Sequence, residues 1–486
     1  MEVDLQKTKV WGPGLKADFF VPVRYFFIQA VSPDGNNITQ SIGDPGFMVT
    51  MTSRGKSRVR VYINALDRKD GLYIIRYRLF EKENDLKISV MYKDQHVADS
   101  PYEMEGQAYP DSCNCPYPNV KKWLDFMECP KSFKQIKNDL SIFKDIDLDY
   151  SSKEVIKRYN ISTAHSLSYY KIIDNQIYRK TYGQHVGFKM FSDAILMSLT
   201  KKVRLPDLEF FVNLGDWPLE QKNRVKDPVP IFSWCGSDGS YDIIMPTYDI
   251  TESTLEMLGR QSLDVFSVMG NSPAPWENKT EMGFWRGRDS RRERLDLVVM
   301  SREHPDVIDA KLTRMFFFEH SEEKYGELVK NIPFYDFFKY KYQINIDGTV
   351  AAYRFPYLLA GDGVVLKQDS NYYEHFYKEL KPYVHYIPFK SDLSDLLEKI
   401  QWVKDNDEKA REISKNGQNY VLDRLTPKDI LCYHVKLFQE YSKRYKSPPT
   451  PPNDSWERVD IPENHASCQC HRKTSSKKSK VNKDEL

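Results

Sequence analysis

Hydrophobic and polar positions follow two regimes along this chain. From residue 1 to 108 the apolar residues come in short runs: Tyr25–Val31, Phe47–Met51, Val59–Asn64, Leu72–Leu79, Leu86–Tyr92 and His96–Asp99. Turn signals such as Pro33-Asp34-Gly35 and Lys69-Asp70-Gly71 separate them. Alternation at that spacing predicts an all-β sandwich. No cluster of His, Cys and acids occurs there, so binding or scaffolding is expected, not chemistry. Residues 109–160 form a Cys- and Pro-punctuated junction with charged, helical sequence over Phe133–Asp149.

From Ser168 the pattern turns α/β. Ser168–Ile173 and Gln176–Lys180 predict a hairpin, and Phe188–Leu199 carries helical spacing. The stretch Leu208–Pro218 reads as a strand buried on both faces of a parallel sheet. Pro230–Trp234 and Asp242–Pro246 are further short strands, and a helix is expected near Ser253–Gly259. A second set follows: strands at Gly283–Arg286, Tyr340–Ile346, Gly363–Gln368 and Tyr386–Phe389, then helices ending with Ile430–Tyr445. These periods divide the α/β part into one unit over residues 161–260 and another over 261–446. Residues 447–486 are Pro-, Ser- and Lys-rich and are expected to be disordered.

A chain of 486 residues with 40% hydrophobic content can bury a sizeable core. A net charge of +2 gives no electrostatic case for nucleic acid or an acidic membrane surface. No run approaches the roughly 18 apolar residues of a membrane span. P-loop, Gly-x-Gly-x-x-Gly, Gly-x-Ser-x-Gly and HExxH motifs are all missing from the sequence. The seven Cys are an odd number, so at least one is free or pairs outside the chain. Cys113, Cys115 and Cys129 would staple a domain junction in an oxidising compartment. Cys468-Gln469-Cys470-His471 suits a disulfide or free thiols better than zinc.

Candidate chemistry sits at strand ends. Asp216 follows a strand, between Gly215, which frees the backbone, and Trp217, whose indole would limit its solvation. Such a carboxylate either acts as a general base or caps the following turn. Five arginines lie between Arg286 and Arg294, at a strand–Gly–helix junction. Free N–H groups of a helix start and arginine forks both suit phosphate, although Glu–Arg pairs on a surface helix give the same pattern. A second strand–Gly unit, Asp347-Gly348-Thr349-Val350-Ala351-Ala352-Tyr353-Arg354, offers small residues and an arginine expected one to two turns into a helix. Two such units suit a diphosphate. Glu374 either hydrogen-bonds ribose hydroxyls or is a solvated helix residue.

With those residues in place, two resemblances emerge. Trp11-Gly12-Pro13-Gly14-Leu15, Asp70-Gly71-Leu72-Tyr73 and His96-Val97-Ala98-Asp99-Ser100-Pro101-Tyr102 resemble a filamin-type immunoglobulin repeat. Residues 160–445 resemble the CAP10-like glycosyltransferases (family 90), among them the protein O-glucosyltransferases that modify EGF-like repeats. The resemblance rests on Phe211-Val212-Asn213-Leu214-Gly215-Asp216-Trp217-Pro218, Trp285-Arg286-Gly287, Glu293-Arg294, Gly348–Arg354, His385-Tyr386-Ile387-Pro388 and Asp392-Leu393-Ser394. It implies a filamin-like sandwich followed by a two-lobed GT-B fold. It also implies transfer of glucose from UDP-glucose to serine, inverting and without metal or other cofactor. Asp216 would be the base, and Arg294, Arg354 and the Gly348–Arg354 loop the donor contacts. Arg288 stands where shorter members carry a serine that touches the donor, so glucose and xylose donors both stay open. An inactive scaffold serving as a luminal binding or folding factor is the rival reading. The overlapping Asp145-x-Asp147-x-Asp149 patterns, which hold a cation in some glycosyltransferases, read here as a solvated helical face.

Lys483-Asp484-Glu485-Leu486 matches the ER-retrieval signal. It implies the ER lumen and the KDEL receptor as a partner, although Met1–Gly14 has no signal-peptide pattern. Glycosylation sequons begin at Asn37, Asn160, Asn278 and Asn453. The remaining partners implied are folded EGF-like repeats of secreted or cell-surface proteins such as Notch-type receptors.

Overall fold

The computed structural model describes residues 2–44, 46–159, 165–258, 263–460, 468 and 470. The Asn160 sequon and Lys483–Leu486 therefore lie outside the described residues, whereas Asn37, Asn278 and Asn453 are all exposed.

The first hundred residues form the expected sandwich. One antiparallel sheet runs Lys9–Trp11, Arg24–Gln29, Leu72–Leu79, Val61–Asp67; Met48–Thr52, Glu83–Tyr92, Gln95–His96 and Tyr102–Ala108 make the other. Phe26, Ile28, Ile75 and Tyr77 pack between the sheets against Ile88, Val90 and Val97. The Arg24–Gln29 strand departs from alternation, because all six of its residues are buried. Its second face, Tyr25 and Phe27, packs against Phe266, tilted and edge-on, at ring-centroid distances of 4.8 and 6.0 Å. The sandwich is thus fused to the α/β part by a shared core. Beside those rings Arg76 donates to both carboxylate oxygens of Asp264 at 3.0 and 2.8 Å, with both side chains almost fully buried.

The junction holds three helices, Val120–Phe126, Lys134–Asp139 and Leu148–Tyr159, in place of the continuous stretch expected over Phe133–Asp149. Asp147 starts the third by accepting the backbone N–H of Tyr150, and Asp149 pairs with Lys153 on an exposed face. The Asp-x-Asp patterns are therefore a helix start and a solvated face. Three disulfides bind this region to later sequence: Cys113–Cys468, Cys115–Cys470 and Cys129–Cys432. Cys235 is the free, buried cysteine.

The first α/β sheet has strand order Ile243–Ile244, Ile231–Ser233, Leu208–Asn213, Leu167–Ile173, Gln176–Tyr182, Glu457–Val459. Leu208–Asn213 is buried throughout, as expected, but is parallel to Ile231–Ser233 and antiparallel to Leu167–Ile173. The sheet is therefore mixed, because Leu167–Ile173 is held in a hairpin through Asp174 and Asn175, both at positive φ. Glu457–Val459 corrects the expectation of disorder beyond residue 446: it pairs with Gln176–Tyr182, and Trp456 packs on Tyr169.

The second sheet is entirely parallel, in the order Ile308–Arg314, Thr280–Arg288, Tyr340–Asn345, Val364–Gln368, Ile387–Phe389. Its carboxyl ends face the first sheet's Asp216 loop across a common cavity. Among the described residues no helix is long and apolar enough to cross a membrane. Removing one partner of a buried ion pair leaves an uncompensated charge, so Arg76→Ala should destabilise the chain by about 3–5 kcal/mol in a denaturant titration. Arg76→Met with Asp264→Leu should recover most of that loss.

Candidate active site

Asp216 owes its position to Asn213, the last residue of its strand. The Asn213 side chain accepts the Gly215 N–H at 3.0 Å and donates to the Trp217 carbonyl at 2.7 Å, closing the loop around Asp216. It also donates to Ser233 Oγ at 3.2 Å, and Ser233 in turn donates to the buried carboxylate of Asp242 at 2.6 Å. Asp242 accepts the N–H groups of Leu219 and Glu220 at 2.8 and 2.9 Å, so both ends of the loop are pinned. Sequence reading missed Asn213 and Asp242; the signal was an Asx-type side chain two residues before a loop glycine.

Trp217 is 54% exposed and off the cavity lining, and its ring edges onto Tyr372 at 5.8 Å. Tyr248 and Tyr353 line the cavity with Asp216 and feel its charge. Burial raises the Asp216 carboxyl above the usual aspartate range, and the Arg288 guanidinium opposes that rise. A carboxylate held in this way is a stronger base than a free one.

The facing wall is cationic. Arg294 lies in the first turn of the Arg292–Glu303 helix and is nearly fully buried. Its guanidinium donates to the carbonyls of Asp347 at 2.7 Å, Arg288 at 3.1 Å and Ile346 at 3.3 Å, bridging the carboxyl ends of two strands. Gly348 is needed for this approach, because a Cβ there would stand 3.0 Å from Arg294 Nη2. Arg354 donates to the Arg286 carbonyl at 2.6 Å. It occupies the N-cap of the short Phe355–Ala360 helix and not a place one to two turns in, since the chain from Gly348 to Ala352 bends without forming helix. Burial, then repulsion from Arg354, pulls the Arg294 pKa down to about 9. Burial, reinforced by Arg288, pulls Arg354 down to about 10. Both remain charged at neutral pH, so crowded like charges wait for an anion.

These residues meet in one cavity of about 470 Å³, lined by Asp216, Arg288, Arg294 and Gly348, Thr349, Val350, Ala351, Ala352, Tyr353 and Arg354. Of the other arginines, Arg286 also lines it but pairs with Asp309 at 2.8 Å; Arg292 pairs with Asp296 on the surface. Glu374 is not on the lining. It is fully buried, neither solvated nor helical, where Thr247 Oγ1 and Tyr377 OH donate to it at 3.4 and 3.2 Å. Burial pushes its carboxyl up to about 8. Asp249 is a second cavity carboxylate that sequence reading missed, raised by burial, with Oδ1 unpartnered. Its signal was a strand–turn–helix unit like that of Asp216, in Met245-Pro246-Thr247-Tyr248-Asp249.

A half-buried carboxyl across a cavity from three guanidiniums suits group transfer with an anionic leaving group. Residues 125–485 match Glycosyl transferase family 90, and residues 2–103 match the Filamin/ABP280 repeat. The chain belongs to glycosyl transferase family 90 and is a glycosyltransferase carrying an N-terminal filamin-type repeat. It is 54% identical to protein O-glucosyltransferase 2 of Danio rerio, over 96% of this chain and 93% of that one. It is 49% identical to protein O-glucosyltransferase 3 of Homo sapiens, over 98% of this chain and 94% of that one. The crystal structure of the Lin-41 filamin domain aligns at 14% identity and a TM-score of 0.18, over 22% of this chain and 96% of that one.

If the cationic wall is a diphosphate cradle, UDP or inorganic pyrophosphate should raise the unfolding temperature. At 100 times Kd the stabilisation is about 2.7 kcal/mol. Arg354→Ala should lose most of the shift in a thermal-melt series, whereas Arg292→Ala on the outer helix face should keep it.

Proposed function

We propose that this chain transfers glucose from UDP-glucose to a serine hydroxyl of folded EGF-like repeats, with inversion and without metal. The observation that carries the reading is the shared cavity of Asp216, Arg288, Arg294 and Arg354; the names of the two relatives support the sugar and the protein acceptor. Asp216 takes the serine proton as the hydroxyl oxygen bonds to the anomeric carbon. The bond from that carbon to the β-phosphate oxygen breaks, and UDP departs carrying the electron pair. Arg354 and the two N–H groups of Arg294 not engaged with carbonyls stabilise the departing charge. The two α/β sheets about one cavity fit the two-lobed GT-B arrangement, with the acceptor base on the first and the donor on the second.

Three disulfides suit an oxidising compartment. With Lys483–Leu486 they support the ER lumen, retrieval by the KDEL receptor, and secreted or Notch-type proteins as acceptors. Exposed Asn37, Asn278 and Asn453 are then open to glycosylation.

Mass spectrometry of a folded EGF-like repeat incubated with UDP-glucose or UDP-xylose tests the reading and identifies the sugar. Asp216→Asn should lower turnover by about 10²–10⁴ while keeping the UDP-induced melting shift. UDP binding by the wild type with no transfer of either sugar would favour an inactive scaffold. Because Asp216 must be ionised and its pKa is raised, kcat/KM should fall on the acid side at a higher pH than an aspartate near 4 would give. Activity should survive EDTA; loss restored by Mn²⁺ would refute the metal-free step.

A further inference from the structure

Three consecutive phenylalanines stand in water beside the cavity. Phe316, Phe317 and Phe318 are 58%, 60% and 38% exposed, and Leu328 and Ile332 close by in sequence are 43% and 37% exposed. The three rings together offer on the order of 300 Å² of apolar surface, the size of the largest patch on an ordinary monomer.

The backbone of the loop is held from beneath. Asp289 is fully buried. Its carboxylate accepts the backbone N–H of Phe316 at 2.8 and 2.9 Å, of Phe317 at 2.8 Å and of Phe318 at 2.8 Å. Successive N–H groups turned inward onto one carboxylate fix the backbone and leave the rings outside. The Phe316 ring lies beneath the guanidiniums of Arg288 and Arg314, 5.6 and 5.4 Å from its centroid.

The patch borders the transfer site directly. Ile332 lines the main cavity, and a neighbouring hollow of about 460 Å³ shares Arg288, Thr313 and Asn331 with it. That hollow carries Arg288, Arg314 and Lys330 and no carboxylate on its lining.

We propose that the Phe316–Phe318 loop is the docking platform for the acceptor protein, seating an apolar patch flanked by acidic side chains on a folded domain. The inference rests on the transferase reading above, because only a protein acceptor must approach that mouth to bring a hydroxyl to Asp216. The rings supply contact area, Arg314 and Lys330 match the acidic flank, and Arg288 joins the platform to the donor cavity.

The test is Phe317→Ser with Phe318→Ser, and separately Lys330→Glu, in the full chain with a folded EGF-like repeat as acceptor. Phe317, Phe318 and Lys330 are all exposed, where substitutions usually leave the fold intact. The expected result is a rise of about tenfold or more in acceptor KM, with kcat within about twofold and the UDP-induced melting shift unchanged. Wild-type transfer with an unaltered acceptor KM in both variants overturns the platform alone. A change in sedimentation with unaltered KM assigns the patch to a second copy of the chain and also overturns it. Loss of the UDP shift assigns the loop a structural part in the donor cavity and overturns it as well. A wild type that transfers nothing overturns the functional reading, and the platform with it.

Discussion

A guanidinium buried where two parallel strands end is the constraint on which the second α/β unit is built. Moving a lone cation out of water costs several kcal/mol, so Arg294 must be compensated on every side. Three carbonyls from the ends of Thr280–Arg288 and Tyr340–Asn345 do so, with the Asp347 carboxylate nearby. The same bonds fix how far those ends stand apart. They thereby hold Gly348 and the bends that lead to Arg354.

The opposite wall follows a different rule. Asp216 is not paired with a cation at hydrogen-bonding distance among the described residues; its loop is tied by neutral groups, Asn213 and Ser233, down to Asp242. A base fixed by an ion pair would hold its proton less well. Positioning by amide and hydroxyl leaves the carboxylate with a raised affinity for a proton.

Much of this was legible in sequence, and the failures have physical causes. Leu72–Leu79 and Leu208–Asn213 were visible because a buried run with turns at its ends has few other readings. Arg354 was placed too deep in a helix because small residues after a glycine suit a turn and a helix start equally. Glu374 and the tail strand Glu457–Val459 were beyond reach: Thr247, which closes over the one, and Gln176–Tyr182, which pairs with the other, are both more than a hundred residues away. Asp289 and the Phe316–Phe318 loop escaped for another reason. A carboxylate that binds backbone leaves no pattern of side chains. Arg24–Gln29 lacks a polar face because a second domain covers it, which alternation within one sheet cannot reveal.

The disulfides of the junction carry a consequence for biogenesis. Cys113 and Cys115 each wait for a partner 355 residues further on. At ordinary elongation speeds that is roughly 20–70 s in which both thiols are made but unmatched. Cys129 is translated only moments after them and awaits Cys432. The sandwich can close early and meet Phe266 midway, yet two of the junction's disulfides stay open until residues 468 and 470 are made. Through that interval the three junction thiols are open to pairing with the wrong partner.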